Sequence, residues 1–204
     1  MGRPPGTGPR VRLAALAELP ATLGIALLCA SAWALTALTG DSTSARHLVA
    51  AGALERGHVW AGEPWRLLTA PFLHAGVAHL AWNVAGAVLS GGPLERALGT
   101  RRFLAVYLAS AVGGSALSLL AQDAVSVGAS GALFGLVGAV LAIRHRVLGS
   151  WRAFTADPPT RHLVTALAIW NVAGIGLALA GVAMDHFAHV GGFVCGAAAA
   201  RVVT

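Results

Sequence analysis

Long apolar segments alternate with short polar ones along almost the whole chain. A helix needs about 20 apolar residues to cross a hydrocarbon core of ~30 Å. Six segments reach or approach that length: 20–39, 76–92, 103–121, 125–143, 162–181 and 185–203. The pattern therefore predicts an all-α membrane protein with six transmembrane helices, in which residues 20–204 form one membrane domain.

Composition excludes several classes of protein. Of the 204 residues, 56% are hydrophobic and only 11% are charged, whereas a soluble domain has about a quarter charged residues. Water-soluble, disordered and nucleic-acid-binding proteins are thereby excluded, and the lipid bilayer is the expected surrounding of the chain. Cys29 and Cys195 lie in apolar segments and are too few for a disulfide framework or a metal site.

The basic residues, all of them arginines, indicate an orientation. Of these 14, eleven lie before the first segment, after the second, after the fourth and at the C-terminal end, and the other three follow the first segment. The positive-inside rule places the arginine-rich side in the cytoplasm, which agrees with an even number of spans. We therefore expect cytoplasmic termini, with residues 1–19 as the N-terminal tail, in the plasma membrane of a prokaryote.

The connection after the first segment, residues 41–74, is long and rich in apolar residues. It contains Trp60 and Trp65, and tryptophan is favoured at the membrane interface. We predict that this first loop lies in the interface. An ordinary amphipathic loop without a role in the chemistry is the alternative.

Small residues form a face on the fourth and sixth segments. In lipid, such faces allow helix backbones to approach closely. The residues recur at spacings of three and four: Gly128, Gly131, Gly135 and Gly138 in the fourth segment, and Gly192 and Gly196 in the sixth. The two helices are therefore expected to touch.

A polar residue within a membrane helix is costly, so each one is a functional candidate. His79 and Asn83 lie early in the second segment, Ser130 about five residues into the fourth, and His189 early in the sixth. These three helices run in the same direction, so the side chains are expected ~6–8 Å below the external face. A site that opens to the external side follows from this placement.

A serine beside a histidine is the minimum for nucleophilic acyl transfer, because a base must take the hydroxyl proton during attack. Ser130 and His189 fit these two roles. The negative charge that develops on the carbonyl oxygen needs fixed donors, which His79, Asn83 and the Ser130 amide can supply. Asp185, one turn before His189, is interpreted as a helix cap; orienting the His189 ring is the alternative.

Several motifs together resemble the rhomboid family of intramembrane serine proteases. They are GASGALFG at 128–135, AHVGG at 188–192, EPWR at 63–66, FLH at 72–74, the His79 and Asn83 pair, and LERALG at 94–99. The likeness covers roughly residues 60–200. GxSG alone is a weak signal, whereas the set in this order is specific.

The resemblance implies a six-helix rhomboid core that cleaves other membrane proteins within or beside a transmembrane segment. Ser130 and His189 would act as a dyad without an acidic third member, with His79, Asn83 and the Ser130 amide as the oxyanion site. Supporting residues would be His74, Trp65, Arg66, Gly128, Gly131 and Phe134. Phe134 stands where many relatives carry a tyrosine that stacks on the base; stacking can survive this change, but the hydroxyl is lost. Neither a cofactor nor a metal ion is expected.

Three alternatives remain open on the sequence. The first is an inactive relative that only binds membrane segments, and the second is a rhombosortase-like enzyme that processes C-terminal sorting tails. The third is a haem- or ion-binding membrane protein with His79 and His189 as ligands, which explains neither Ser130 nor the glycines around it. The sequence does not indicate an oligomeric state.

Overall fold

The computed structural model describes residues 18–179 and 184–204, and the regular elements within them are all helices. The described residues include only the last two residues of the predicted tail 1–19. They also leave out the last two residues of the predicted span 162–181. The helices are α1 (Pro20–Thr39), α2 (Ala45–Ala51), α3 (Arg56–Trp60), α4 (Arg66–Thr69), α5 (Val77–Gly86), α6 (Gly92–Leu98), α7 (Thr100–Ala121), α8 (Ser130–Leu148), α9 (Trp151–Ala156), α10 (Pro158–Leu179) and α11 (His186–Val203).

Within the described residues, four helices are long and apolar enough to cross a membrane: α1, α7, α8 and α11. A fifth candidate is the bent pair Arg66–Phe72 and Val77–Leu98, whose two parts meet at 94°. The predicted all-helical fold is thus confirmed for the described residues. The count of six spans stays a prediction. The sixth span would be α10, a helix of 22 residues.

The second predicted segment, 76–92, ends too early. The helix continues from α5 through a π-helical turn at Ala87–Gly91 into α6, so Arg96 lies in a helix and not in a loop. Pro93 has no N–H to donate to the carbonyl four residues before it, and its ring crowds that carbonyl. The wider π-helical turn just before Pro93 accommodates this residue without ending the helix.

The fourth predicted segment, 125–143, begins too early. α8 starts at Ser130 and continues to Leu148, so Ser130 is the first helical residue and not one turn inside. Ser126 instead pairs with Leu54 of the first loop through two backbone hydrogen bonds of 3.0 and 2.9 Å. The mostly apolar character of 125–129 did not distinguish a non-helical connection from a helix.

α7, α8 and α11 pack through glycines rather than through large side chains. A Cβ atom on Gly192 would overlap the carbonyl oxygen of Gly131, and one on Gly196 would overlap that of Gly135. Gly114 on α7 approaches α11 in the same way, since a Cβ atom there would lie 2.8 Å from the carbonyl oxygen of Ala188. The predicted contact between the fourth and sixth segments is confirmed.

The first loop is organised around Arg66, which is buried. Its guanidinium donates to the carbonyls of Val49 and Ala53 at 2.7 and 2.8 Å and to the Glu63 carboxylate at 2.7 Å. This hydrogen bond from Arg66 holds the pKa of Glu63 below its usual range. Trp60 is exposed, as an interfacial tryptophan would be, and the position of the loop in the membrane interface stays a prediction.

Candidate active site

Ser130 begins α8 directly after a turn that glycine makes possible. Gly128 has φ of 114°, in the left-handed region that glycine adopts readily. Its N–H donates to the carbonyl of Ala70 at 3.0 Å, which ties this turn to the first loop. The N–H groups of a first helical turn have no intrahelical acceptor, and the amide of Ser130 is one of them.

His189 lies in the first turn of α11, and its Nε2 atom is 2.9 Å from Ser130 Oγ. The close contact of Gly131 with Gly192 brings the two helices to this distance. His189 is 2% exposed. Its Nδ1 atom is buried and has no hydrogen-bond partner among the described residues, so no carboxylate in the described part of the chain holds the ring.

Phe134 stacks on the imidazole ring of His189. Its ring is parallel to that of His189 within 4°, with 4.1 Å between centroids. Phe134 lies one turn after Ser130 on the same face of α8, so a single helix supplies both the hydroxyl and the aromatic ring that contact His189. The stacking that the sequence allowed for a phenylalanine is present.

His79 lies against the turn that precedes Ser130. Its Nδ1 atom accepts a hydrogen bond of 3.3 Å from the N–H of Ala75, so Nε2 carries the proton. A Cβ atom on Gly128 would come within 2.7 Å of Nε2. A side chain at position 128 would therefore displace the imidazole, which explains why glycine is needed here beyond its φ angle.

Asn83 lies one turn after His79 on α5 and is buried. Its Nδ2 atom donates to the His79 carbonyl at 2.9 Å, and its Oδ1 atom is buried without a partner among the described residues. The amide has a second Nδ2 hydrogen. His79 and Asn83 thus bring two side-chain donors to the vicinity of Gly128, in keeping with their spacing on one helical face.

His74, Trp65 and Arg66 belong to the first loop. His74 is fully buried, its Nδ1 lies 3.1 Å from the Phe72 carbonyl, and its ring meets that of His79 edge-on at 5.1 Å. The Arg66 guanidinium lies 4.7 Å from the centre of the Trp65 ring. Trp65 and Arg66 hold the loop together and are not brought into contact with the Ser130 hydroxyl.

A cavity of about 330 Å³ opens beside Ser130, between α5, α8 and α10. Sequence reasoning found only Asn83, Ser130 and Phe134 among its lining residues. The others are Trp82, Ala85, Gly86, Leu89, Ser90, Leu133, Val137, Leu163, Ala166 and Leu167. Their spacing of three and four residues along each helix is the signal that could have identified a shared face.

The Rhomboid domain family model matches residues 61–204, a range that contains every residue of the site described above. The chain belongs to the rhomboid family. Its long apolar helices agree with this membership, and the protein is an integral membrane protein.

Similar proteins occur in bacteria and plants. This rhomboid is 38% identical to the rhomboid protease GluP of Bacillus subtilis over 169 residues, which are 83% of this chain and 32% of that protein. It is 43% identical to RHOMBOID-like protein 2 of Arabidopsis thaliana over 162 residues, 78% of this chain and 48% of that protein. The chain thus spans about a third of the length of the first relative and about half of the second.

Asp185 of this rhomboid caps α11, as the sequence predicted. Its Oδ1 atom accepts from the N–H of Ala188 at 2.8 Å. Its Oδ2 atom accepts from the hydroxyls of Ser118 and Ser126, each at 2.5 Å. Sequence reasoning missed both serines, because no local pattern links them to a residue about 60 positions away.

Proposed function

We propose that this rhomboid is a serine endopeptidase that cleaves transmembrane segments of other membrane proteins, with Ser130 as nucleophile and His189 as general base. The observation that carries the proposal is the contact of 2.9 Å between Ser130 Oγ and His189 Nε2. At this distance the imidazole can take the hydroxyl proton as the oxygen attacks a carbonyl carbon. The name of the similar Bacillus subtilis protein, a rhomboid protease, supports the same reaction.

In the proposed reaction, Ser130 Oγ bonds to the scissile carbonyl carbon while its proton moves to His189 Nε2. The tetrahedral intermediate collapses as the same proton passes to the leaving amine, and an acyl-enzyme remains. His189 then deprotonates a water molecule, which attacks the ester and releases the new carboxylic acid. The proton returned by His189 restores the Ser130 hydroxyl.

The oxyanion of each intermediate needs donors that are in place beforehand. The Ser130 N–H, the protonated Nε2 of His79 and the second Nδ2 hydrogen of Asn83 are proposed for this role. The position of the His79 Nε2 atom against Gly128 supports it, as does the hydrogen bond that fixes the tautomer. Neither a cofactor nor a metal ion is required by this chemistry.

The substrate segment is proposed to occupy the cavity between α5, α8 and α10. The cavity is lined mostly by apolar side chains and reaches Ser130, which suits a membrane segment that must bring one peptide bond to the hydroxyl. The proposal includes the finer topology: six spans, an interfacial first loop, cytoplasmic termini and a site open to the external side of a prokaryotic plasma membrane.

Two of the alternatives are less well supported. An inactive binder needs no serine within hydrogen-bond distance of a buried histidine. A haem protein would need ring nitrogens of His79 and His189 free for the metal, whereas His189 Nε2 faces Ser130 and His79 Nδ1 accepts from Ala75. A sorting-tail protease shares the proposed chemistry and differs only in its substrate.

The proposed nucleophile is tested with a fluorophosphonate probe on the detergent-purified protein. We expect the wild type to be labelled and Ser130→Ala and His189→Ala to be unlabelled, with cleavage of a model transmembrane substrate lost in parallel. Ser90 lines the same cavity, so Ser90→Ala is the matched control and should label like the wild type. A folded wild type that neither reacts nor cleaves, or a Ser130→Ala protein that does, would contradict the proposal.

The oxyanion donors are tested by Asn83→Ala. We expect the rate of cleavage to fall on the order of 10²–10³, the usual effect of removing one oxyanion donor, while KM changes little. A loss of only about twofold would be far smaller than the usual effect of removing an oxyanion donor. It would show that Asn83 is not one of the oxyanion donors.

The topology is tested by a cysteine at position 127, in a background without Cys29 and Cys195. A membrane-impermeant thiol reagent added to intact cells should label it from outside. Labelling from the cytoplasmic side alone would reverse the proposed orientation.

A further inference from the structure

Asp185 joins three segments of the chain near the site. Its Oδ1 atom accepts from the Ala188 N–H and thereby fixes the start of α11. Its Oδ2 atom accepts from Ser118 near the end of α7 and from Ser126 in the segment that leads to α8. Hydrogen bonds to a carboxylate are among the strong ones in proteins, so Asp185 firmly links the end of α7, the segment before α8 and the start of α11.

The two serines are themselves held in place. Ser126 pairs with Leu54 of the first loop at 3.0 and 2.9 Å. Ser118 is buried and accepts from the Gln122 amide at 3.0 Å. Arg56 of α3 donates to the Gln122 carbonyl at 2.9 Å, at the C-terminal end of α7. Asp185 therefore binds to fixed groups.

The hydrogen bond between Ser126 and Asp185 lies at the same sequence distance from each residue of the dyad. Ser126 lies four residues before Ser130, and Asp185 lies four residues before His189. On the other side of the reacting atoms, Gly131 and Gly192 hold the two helices at backbone contact. The distance between the hydroxyl and the imidazole is thus bounded by a hydrogen bond at one end and a backbone contact at the other.

We infer that Asp185 is a positioning residue that sets the distance between Ser130 and His189 by fastening the segment that carries one to the helix that carries the other, through Ser126. The inference rests on the proposed function and deepens it. It differs from a third catalytic residue, because the carboxylate makes its hydrogen bonds to Ser118, Ser126 and the helix N-terminus and not to the His189 ring.

The decisive variants alter Ser126 and leave the carboxylate, its charge and the helix cap unchanged. Ser126→Ala is expected to lower kcat and the rate of fluorophosphonate labelling about tenfold, as expected when a hydrogen bond that holds a reactive geometry is lost. KM and the pH dependence of labelling should not change. Ser126→Thr keeps the hydroxyl and should restore the rate.

A double-mutant cycle identifies the path of the effect. Asp185→Ala should be slower than Ser126→Ala, and adding Ser126→Ala to Asp185→Ala should cause no further loss. Ser150 caps α9 by accepting from the N–H of Ala153, away from the site, so Ser150→Ala is a control for the loss of a serine hydroxyl and should keep the wild-type rate. If Asp185→Ala does not fold, the comparison of Ser126→Ala with Ser126→Thr alone tests the positioning role.

The outcomes separate this inference from the proposed function. A wild type that is folded but unreactive overturns the proposed function. A reactive wild type with Ser126→Ala at the same rate overturns only the positioning role. The positioning role would also be overturned if the effects of Ser126→Ala and Asp185→Ala on the rate multiplied in the double mutant, or if Ser126→Ala shifted the pH profile. In either case Asp185 would act on His189 by a route other than Ser126.

Discussion

The helices on either side of α8 meet it in opposite ways. α11 approaches until backbone atoms touch, so that a methyl group on Gly192 would overlap the carbonyl oxygen of Gly131. α10 leaves a cavity of about 330 Å³, to which it contributes Leu163, Ala166 and Leu167. The face of α8 toward α11 is thus closed by the main chain, and the face toward α10 is left open.

This difference separates two requirements of the proposed reaction. Ser130 and His189 must stay within hydrogen-bond distance of each other, and a contact between two backbones, which have no rotamers, fixes that distance well. A substrate segment must be admitted and released, which requires space and side chains that can move. In this proposal the chain meets the two requirements on two different faces of a single helix, and Ser130 and Phe134 lie where these faces meet.

The largest expected effect comes from adding one methyl group to the closed face. Gly192→Ala should lower the free energy of unfolding by at least about 3 kcal/mol, the upper end of the cost of overpacking a core, because the atom that it meets is a carbonyl and cannot move aside. Thermal unfolding in detergent measures this change.

Gly24 of α1 provides the control for this substitution. A Cβ atom there meets nothing within 4 Å, so Gly24→Ala should leave the stability unchanged or raise it by up to about 1 kcal/mol through helix propensity. Equal losses in the two variants would show that the contact between α8 and α11 has no special importance.

The next effect comes from filling the open face. Ala166→Trp places an indole in the cavity and should lower kcat/KM for a transmembrane substrate about tenfold, or roughly 1.4 kcal/mol of binding. The unfolding temperature and the reaction with a small fluorophosphonate should be retained. Ala168 is exposed on the same helix and does not line the cavity, so Ala168→Trp should behave like the wild type.

If Ala166→Trp reduced fluorophosphonate labelling as much as cleavage, the substitution would be acting on the dyad. The proposed separation of the two faces of α8 would then be wrong.

The smallest effect concerns the start of α10, on the side that the proposed topology places in the cytoplasm. Asp157 accepts from the N–H and hydroxyl of Thr160 at 2.9 and 2.6 Å and pairs with Arg144 of α8. These hydrogen bonds lower the pKa of Asp157 to about 2. A carboxyl with a lowered pKa stabilises the fold above its unfolded pKa of about 4 and loses this contribution as the pH falls to about 2.

Asp157→Asn should therefore unfold at a slightly lower temperature than the wild type at pH 7, and the difference should vanish between about pH 4 and pH 2. Labelling of Ser130 at pH 7 should not change, because this link lies between α10 and α8 and not between α8 and α11. A loss of labelling would mean that the open face also holds the dyad.

Much of the fold could be predicted locally. α1 occupies the predicted range, Pro20–Thr39, because its hydrophobic run is long and its ends are marked by Pro20 and Gly40. The start of α8 could not be predicted from hydrophobicity, since residues 125–129 are mostly apolar, whereas in the fold Ser126 pairs with Leu54 and Gly128 makes a turn with φ of 114°. The π-helical turn at Ala87–Gly91 was missed for the opposite reason: the helix continues beyond the end of the apolar segment at residue 92.

The sequence by itself determined which segments are long and apolar enough for a membrane, and which few polar residues within them are candidates for chemistry. Hydrophobicity, helical periodicity and motif order are properties of short stretches, so they can be read without knowing what packs beside them. The tertiary structure alone decided that Ser130 and His189 lie 2.9 Å apart, that Asp185 binds Ser118 and Ser126, and which residues line the cavity. These partners are separated by 59 or 67 residues, and distances across such separations depend on how whole helices pack.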